Sequence, residues 1–390
     1  MPVLILVIVV VGHFGVWIAL YNRINATGFH RITIKRIEKL IVLCCGLIPL
    51  AILAFESSRI GLDGVLQSLA SAKFPWHWST IAYSVLTGCV ALGLAPLWLR
   101  DRPQFASAKT RFRIAESADF HPLKEDPTSR DRILIGSSFR KMSRLPGNQI
   151  ASLQRNIKEL LVPSLPRELQ GMTIAHISDV HLTGHISNEY YRLAMDWVCD
   201  QKPEMIVVSG DIVDYQRALV QLEPVFEGLC APMGMYFVLG NHDRRLSDPS
   251  MICNQLCRMG WSDLGQREFV ARRGVTPVRM IGNELPWFSR GTPILDVSIH
   301  AWTIGVSHSP DQWRWGLANR CGLMLCGHTH GGQIRFPVIG PVITPSWFGS
   351  RYASGVFLRE STLMHVSRGI SGVHPFRWGC IPEVSLLKLF

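Results

Sequence analysis

The chain has 390 residues, 47 % hydrophobic and 18 % charged, a balance that excludes a disordered polyelectrolyte and leaves ample material for a buried core. Its formal net charge of +11 is lopsided: eight basic residues face three acidic ones over 1–100, twelve face seven over 101–165, and twenty face nineteen over 166–390. The larger part thus lacks the basic stripe that a sequence-independent nucleic-acid binder needs, and nucleic acid is not expected as a partner.

The first hundred residues read as a membrane anchor. Val3 to Leu20 is apolar almost throughout, Leu40 to Phe55 is an uncharged run, and Ile81 to Leu99 is another. About 20 apolar residues cross a hydrocarbon core of ~30 Å, so transmembrane helices are predicted near 3–20, 40–55 and 81–99, the second short by a turn. Trp76, Trp78 and Trp98 bracket the third segment as interfacial aromatics do. Arg23, Arg31, Lys35, Arg36 and Lys39 follow the first segment, and Arg100, Arg102, Lys109, Arg111 and Arg113 follow the third. The positive-inside rule therefore predicts a multi-pass protein of the cell (inner) membrane, N-terminus out, with everything after residue 100 in the cytoplasm. The ten cysteines form no Cys-x-x-Cys pair, which fits a reducing compartment.

Residues 101–149 mix charge, Pro and Ser without sustained periodicity and read as a basic juxtamembrane linker, leaving 150–390 as one further domain. From Ile150 to Val162 the pattern fits either a helix face or a strand.

Five short apolar runs then follow, each ending in side chains that bind metals. Ile174 to Ser178 runs into Asp179-Val180-His181; Met205 to Ser209 into Gly210-Asp211, with Asp214 three residues on; Met235 to Leu239 into Gly240-Asn241-His242-Asp243. Ile304 to Ser307 runs into His308, and Leu323 to Cys326 into Gly327-His328-Thr329-His330. Runs of four or five such residues bounded by Gly or polar turns are buried strands, and doubly covered parallel sheets gather ligand sites beyond the strands' carboxyl ends. One Asp after a strand means little, because Asp is common in turns; five consecutive strands ending in Asp, Asn or His mean more. Two carboxylates, one amide and four or five imidazoles suffice for two divalent cations, the usual apparatus for in-line hydrolysis of phosphate esters.

On these motifs, residues from about 165 onward resemble the calcineurin-like metallophosphoesterases. Leu165-Pro166, Leu169-Gln170-Gly171, Gly332-Gln333-Ile334-Arg335-Phe336-Pro337, Ser367-Arg368-Gly369 and Pro382-Glu383 extend the likeness to the membrane-associated bacterial branch of YkuE-like phosphoesterases and UDP-2,3-diacylglucosamine pyrophosphohydrolases. The resemblance implies an α/β fold, an αββα sandwich of two mixed sheets with helices outside and metals at one edge. It places Asp179, His181 and His330 on one metal, Asn241, His308 and His328 on the other, and Asp211 between them. His242 becomes the catalytic general acid or phosphate donor, with Asp243 as the candidate to orient its imidazole. Asp214 is equally well a support for the bridging loop or a helix-start carboxylate. Arg368 and Arg351 are candidates for substrate phosphate contacts, or else ordinary salt bridges.

Only Asp179 and Asp211 are anionic in that set, so two divalent ions leave the site at plus two, and a bridging hydroxide at plus one, ready for a phosphate anion. Nitrogen and oxygen donors fit Mn, Fe, Zn or Co without choosing among them. The expected function is that of a membrane-anchored, dinuclear metal-dependent hydrolase of a phosphodiester or pyrophosphate bond, with an amphiphilic substrate such as UDP-2,3-diacylglucosamine (lipid A biosynthesis) as the specific expectation. A phosphoesterase for soluble nucleotides and a non-catalytic scaffold with a structural metal site are the alternatives. His176 reads as a core imidazole and His185 as a loop residue; His365 and His374 lie in the C-terminal segment, within reach of the mouth of the site, but nothing in their spacing requires them there.

Overall fold

The computed structural model describes residues 2–71, 75–102, 107–288 and 301–390. Residues 244–300, which carry no motif the sequence makes interpretable, are described as far as 288, and 289–300 lie outside the described residues.

The apolar N-terminal runs form three helices: α1 (Pro2–Asn25), α2 (Arg31–Ser71) and α3 (Trp78–Arg100). All three are long and apolar enough to cross a membrane. Helix α2 has 41 residues, well beyond the expected 40–55, because helix formation is not halted where hydropathy falls: Lys35 and Arg59 pair with Glu38 and Glu56 one turn away, at 2.6 and 2.8 Å. Helix geometry breaks locally at Gly61, whose φ is 76°.

Two sheets follow. The first holds β1 (Phe112–Phe120), β2 (Leu153–Leu160), β3 (Thr173–Ile177), β4 (Met205–Ser209), β5 (Met235–Val238), β6 (Trp261–Asp263) and, last in the chain, β15 (Glu383–Leu389), in the order β1-β2-β15-β3-β4-β5-β6. The second holds β7 (Phe269–Arg273), β8 (Thr276–Asn283), β9 (Trp302–Ser307), β10 (Cys321–Cys326), β13 (Gly355–Arg359) and β14 (Thr362–Val366), in the order β13-β14-β10-β9-β8-β7. A small hairpin, β11 (Arg335–Phe336) with β12 (Gly340–Pro341), stands apart. In the first sheet β3 to β6 run parallel, and in the second β8, β9, β10 and β14 do.

Alternation along the strands explains why these runs are apolar throughout. On β4, Met205 and Val207 face the second sheet, packing with Val306 and Leu325, while Ile206 and Val208 face outward beneath the helices Asn188–Gln201 and Ser250–Arg258. The first of those helices buries Tyr190, Tyr191, Ala194, Met195 and Val198, one face at helical spacing. Outside the second sheet Met324, Cys326, Met364 and Val366 pack under Tyr352 and Phe357. Each buried Val, Leu or Ile contributes roughly 1.5–3 kcal/mol. The result is the αββα sandwich, preceded by the three helices.

The stretch 101–149, expected as a linker, supplies β1, which pairs antiparallel with β2. Nothing in its periodicity announces this, because β1 is an edge strand whose residues from Arg113 to Asp119 are all exposed. The ambiguous 150–162 segment holds strand β2, flanked by β1 and β15.

Candidate metal centre

The five expected motifs follow β3, β4, β5, β9 and β10, so the topology delivers them to one rim. Asp179, His181, Asp211 and His330 form one group whose ligand atoms all lie within 4.8 Å of one another; Asp211, His308 and His328 form a second. Asp211 belongs to both. Its Oδ2 lies 3.5 Å from His181 Nε2 and 3.3 Å from His308 Nε2. Asn241 Oδ1 joins the second group 3.1 Å from the same His308 nitrogen. Across the first group His181 Nε2 and His330 Nε2 face each other at 3.1 Å, and His330 Nε2 is 3.4 Å from Asp179 Oδ1.

This crowding is held by strained backbone. Asp179, His181, Asp211, His328 and His330 all have φ between 49° and 70°, a left-handed conformation costing non-glycine residues about 1–3 kcal/mol each. Gly327 allows the closest approach: a Cβ there would lie 1.8 Å from Ser178 Oγ and 2.5 Å from Asp179 Oδ2.

The outer ring nitrogens are committed elsewhere. His308 Nδ1 donates to the Ser209 carbonyl at 2.7 Å and His181 Nδ1 to Asp214 Oδ2 at 2.7 Å, which turns both Nε2 atoms toward Asp211. Burial, reinforced by His308 and by His181 respectively, holds His328 and His330 well below the ordinary imidazole range, in the neutral form that ligates metal. Burial opposes charge on His308 too, but Asp211 and Asp179 outweigh it and raise that imidazole to about 9. For Asp211, burial raises the pKa, yet the surrounding imidazoles of His308, His242 and His181 carry it well below the carboxylate range.

Divalent cations fit this donor set. Asp211 Oδ2 and His328 Nε2 are buried without a hydrogen-bond partner, a costly arrangement for polar atoms that have nothing to bind. Nitrogen and oxygen donors converge on them, and among the described residues no thiolate joins either group.

Three expectations need correction. Asp243 does not orient His242: its oxygens accept the backbone N–H groups of Ile212, Val213 and Gly240 at 2.8–2.9 Å, so it braces the loops instead. The carboxylate on His242 Nδ1 is Asp214, whose other oxygen takes His181. Arg368 is no phosphate contact, because its guanidinium is paired with Glu383 at 2.7 Å and also meets Gln154. Arg351 is paired with Asp101, at the end of α3, at 3.1 Å.

Sequence reasoning missed Arg245, which reaches His242 Nε2 at 2.7 Å and Asp214 at 2.9 Å. It also missed Trp287, whose ring lies 4.7 Å from that of His328, and Arg377, fully buried with Nη2 3.1 Å from His330 Nδ1. Arg245 sits three residues after His242, spacing that could have flagged it; Trp287 and Arg377 carry no local signal. His365 lies between the sheets with His176, whereas His374 lines the cavity over the cluster. That cavity measures about 700 Å³ and reaches from Asp211, His242 and His328 to the turn between α1 and α2.

Comparison with protein families matches residues 172–332 to the calcineurin-like phosphoesterases. The uncharacterized metallophosphoesterase YkuE of Bacillus subtilis is 28 % identical over 273 residues, 66 % of this chain and 91 % of YkuE. Phosphodiesterase YaeI of Escherichia coli is 28 % identical over 224 residues, covering 55 % of this chain and 81 % of YaeI. The UDP-2,3-diacylglucosamine pyrophosphatase LpxG of Chlamydia trachomatis is 24 % identical over 286 residues, 58 % and 86 % of the two chains. Motifs, fold and relatives agree that this chain carries, over residues 172–332, a calcineurin-like phosphoesterase domain, and that it is similar to metallophosphoesterases.

Proposed function

We propose that this chain hydrolyses a phosphodiester or pyrophosphate bond at two divalent cations, drawn from Mn, Fe, Zn or Co, and that its substrate is lipid-linked. The observation that carries the reading is the shared position of Asp211, between two converging donor groups and with an unpartnered buried oxygen. Asp179, His181 and His330 hold one cation, Asn241, His308 and His328 the other, and Asp211 serves both. Cations bound there polarise the phosphate and lower the pKa of water.

The remaining work falls to this chain's own side chains. His242 is fixed through Nδ1 by Asp214, and its Nε2 lies 3.9 Å from Asp211 Oδ2, on the cavity side. In the structure that nitrogen accepts an N–H from Arg245, and burial lowers the imidazole to about 4; when the ring takes up a second proton, Nε2 is the atom from which a proton or hydrogen bond passes to the leaving oxygen. Arg245, already 2.7 Å from it, supplies a fixed positive charge for a phosphate oxygen. With two carboxylates among seven ligands, the loaded site keeps a net positive charge for an anionic substrate.

The lipid-linked part of the proposal rests on the three apolar helices, on basic residues clustered beside them, and on a relative named for a diacylated nucleotide sugar. The helices span the membrane with the N-terminus out and the catalytic domain in the cytoplasm, which confines enzyme and amphiphile to one interface. The test is turnover by the full chain, in detergent with manganese, of UDP-2,3-diacylglucosamine, phospholipid diesters and soluble nucleotides. Turnover of the first or second class supports the reading; turnover of nucleotides alone removes the lipid, and none removes the hydrolase.

A further inference from the structure

The cavity over the metal residues is built in two halves of different chemistry. At its inner end stand Asp211, Asn241, His242, Arg245, His328 and His330. Away from these, two elements that play no part in the sandwich supply apolar side chains, interspersed with Arg31, Lys35 and Glu38. One is the turn between α1 and α2, with Phe29 and Ile32, each 57 % exposed; the other is hairpin β11–β12 and the strand end after it, with Phe336 at 46 % and Ile343 at 53 %.

The two elements are fixed to each other and to the sandwich. Asn22, near the end of α1, donates to the Val342 carbonyl at 3.1 Å and accepts from Thr344 N–H at 2.9 Å. Arg244, beside the catalytic motif, donates to the Gly28 carbonyl at 2.9 Å. Gly28 itself passes so near the chain that a Cβ would lie 2.4 Å from the Pro286 carbonyl oxygen. Just after α3, buried Arg102 donates to the Pro341 carbonyl and to Ser350 Oγ. The end of α1, the start of α2 and the end of α3 therefore all meet the catalytic domain on one side, the level of the bilayer surface if the helices span it.

Exposed phenylalanine and isoleucine lining one cavity from two separate elements have no use for a water-soluble ester. They suit an apolar chain that leaves the bilayer at that level. Arg31, which also lines the cavity beside the Lys35–Glu38 ion pair, stands where a headgroup's negative charge would pass.

We infer that the α1–α2 turn and hairpin β11–β12 form a port from the bilayer to the metal residues, through which an acylated phosphate ester enters, its chain lying between Phe29 and Ile32 on one side and Phe336 and Ile343 on the other. This rests on the phosphoesterase reading above and extends it: the membrane helices are part of the substrate site as well as its tether.

The test uses the full chain in phosphatidylcholine nanodiscs with manganese and two synthetic diesters, p-nitrophenyl ethyl phosphate and p-nitrophenyl hexadecyl phosphate, which share one reacting centre. The quantity read is the ratio of kcat/KM for the hexadecyl ester to that for the ethyl ester, which cancels any loss of folded protein. In the double variant Phe336→Ser/Ile343→Ser, and separately in Phe29→Ser/Ile32→Ser, the ratio should fall at least fivefold from the wild-type value. A ratio within twofold of wild type in both overturns the port while leaving the hydrolase intact. No release of nitrophenolate from either ester by the wild type overturns the hydrolase reading and the port with it.

Discussion

Asp214 accepts the Nδ1–H of His181 at 2.7 Å. The bond turns the other imidazole nitrogen toward Asp211 and His330, and the second oxygen of the same carboxylate meets His242 and Arg245. One side chain thus aligns a metal-side ring and a cavity-side ring together. Asp214→Asn should lower metal affinity or kcat by about 10–100-fold, the usual cost of losing such an outer-shell partner. Metal titration followed by single-turnover kinetics checks this, and a change under twofold in both would contradict the assignment.

Asp243 does different work and should fail differently. Asp243→Ala strands the N–H groups of Ile212, Val213 and Gly240 in a buried loop, at a cost of about 3 kcal/mol or more in stability. Urea unfolding in detergent measures it. The folded fraction should keep the shape of the wild-type pH–rate profile, which a residue orienting the catalytic imidazole would alter.

The two arginines expected at the substrate separate by burial. Arg368→Ala leaves buried Glu383 with Lys158 at 3.1 Å as its remaining cation, and breaking such a pair costs about 3–5 kcal/mol. Arg351 and Asp101 are each about a quarter or more exposed, so Arg351→Ala should cost no more than about 1 kcal/mol. Its kcat/KM should stay within twofold of wild type; a tenfold loss would restore it as a phosphate contact.

Acid should loosen the core between the sheets. Burial, then Lys158, pushes His176 down to about 3, and burial with the same lysine holds His365 well below its ordinary range. Around them stand Lys158, Glu383 and Ser209. Both imidazoles are neutral in the fold, while in the unfolded chain they bind protons near pH 6.5, so the unfolded state gains protons first as pH falls. Stability from these groups is complete above about pH 6.5 and falls below it by about 1.4 kcal/mol per pH unit for each group, continuing for His176 to about pH 3. His176→Asn should flatten that slope between pH 6.5 and 4; an unchanged slope would show the ring does not titrate in this way.

Much of the site was legible because its chemistry is written in residue types: β-branched runs closed by Asp, Asn or His. Doubly buried strands carry no polar alternation to confuse the reading. Strand β1 was illegible for the opposite reason, since an exposed edge strand has no apolar face to mark it. Choosing between Asp214 and Asp243 was beyond the sequence, as each lies within three residues of a motif and only the path of the backbone decides which carboxylate meets the imidazole. Arg368 misled because its partner, Glu383, comes from the last strand, paired only through the sheet. The cavity's outer wall combines residues 29–38 with 334–345, and no local pattern joins segments so far apart.

The sharing of Asp211 by two cations is tested most directly by metal analysis of active, full-length protein beside its Asp211→Asn variant. The wild type should hold two divalent ions per chain, lose activity on chelation and regain it with manganese, while the variant should lose both activity and at least one ion. Full activity in wild-type protein that neither contains nor requires a divalent ion would contradict the account.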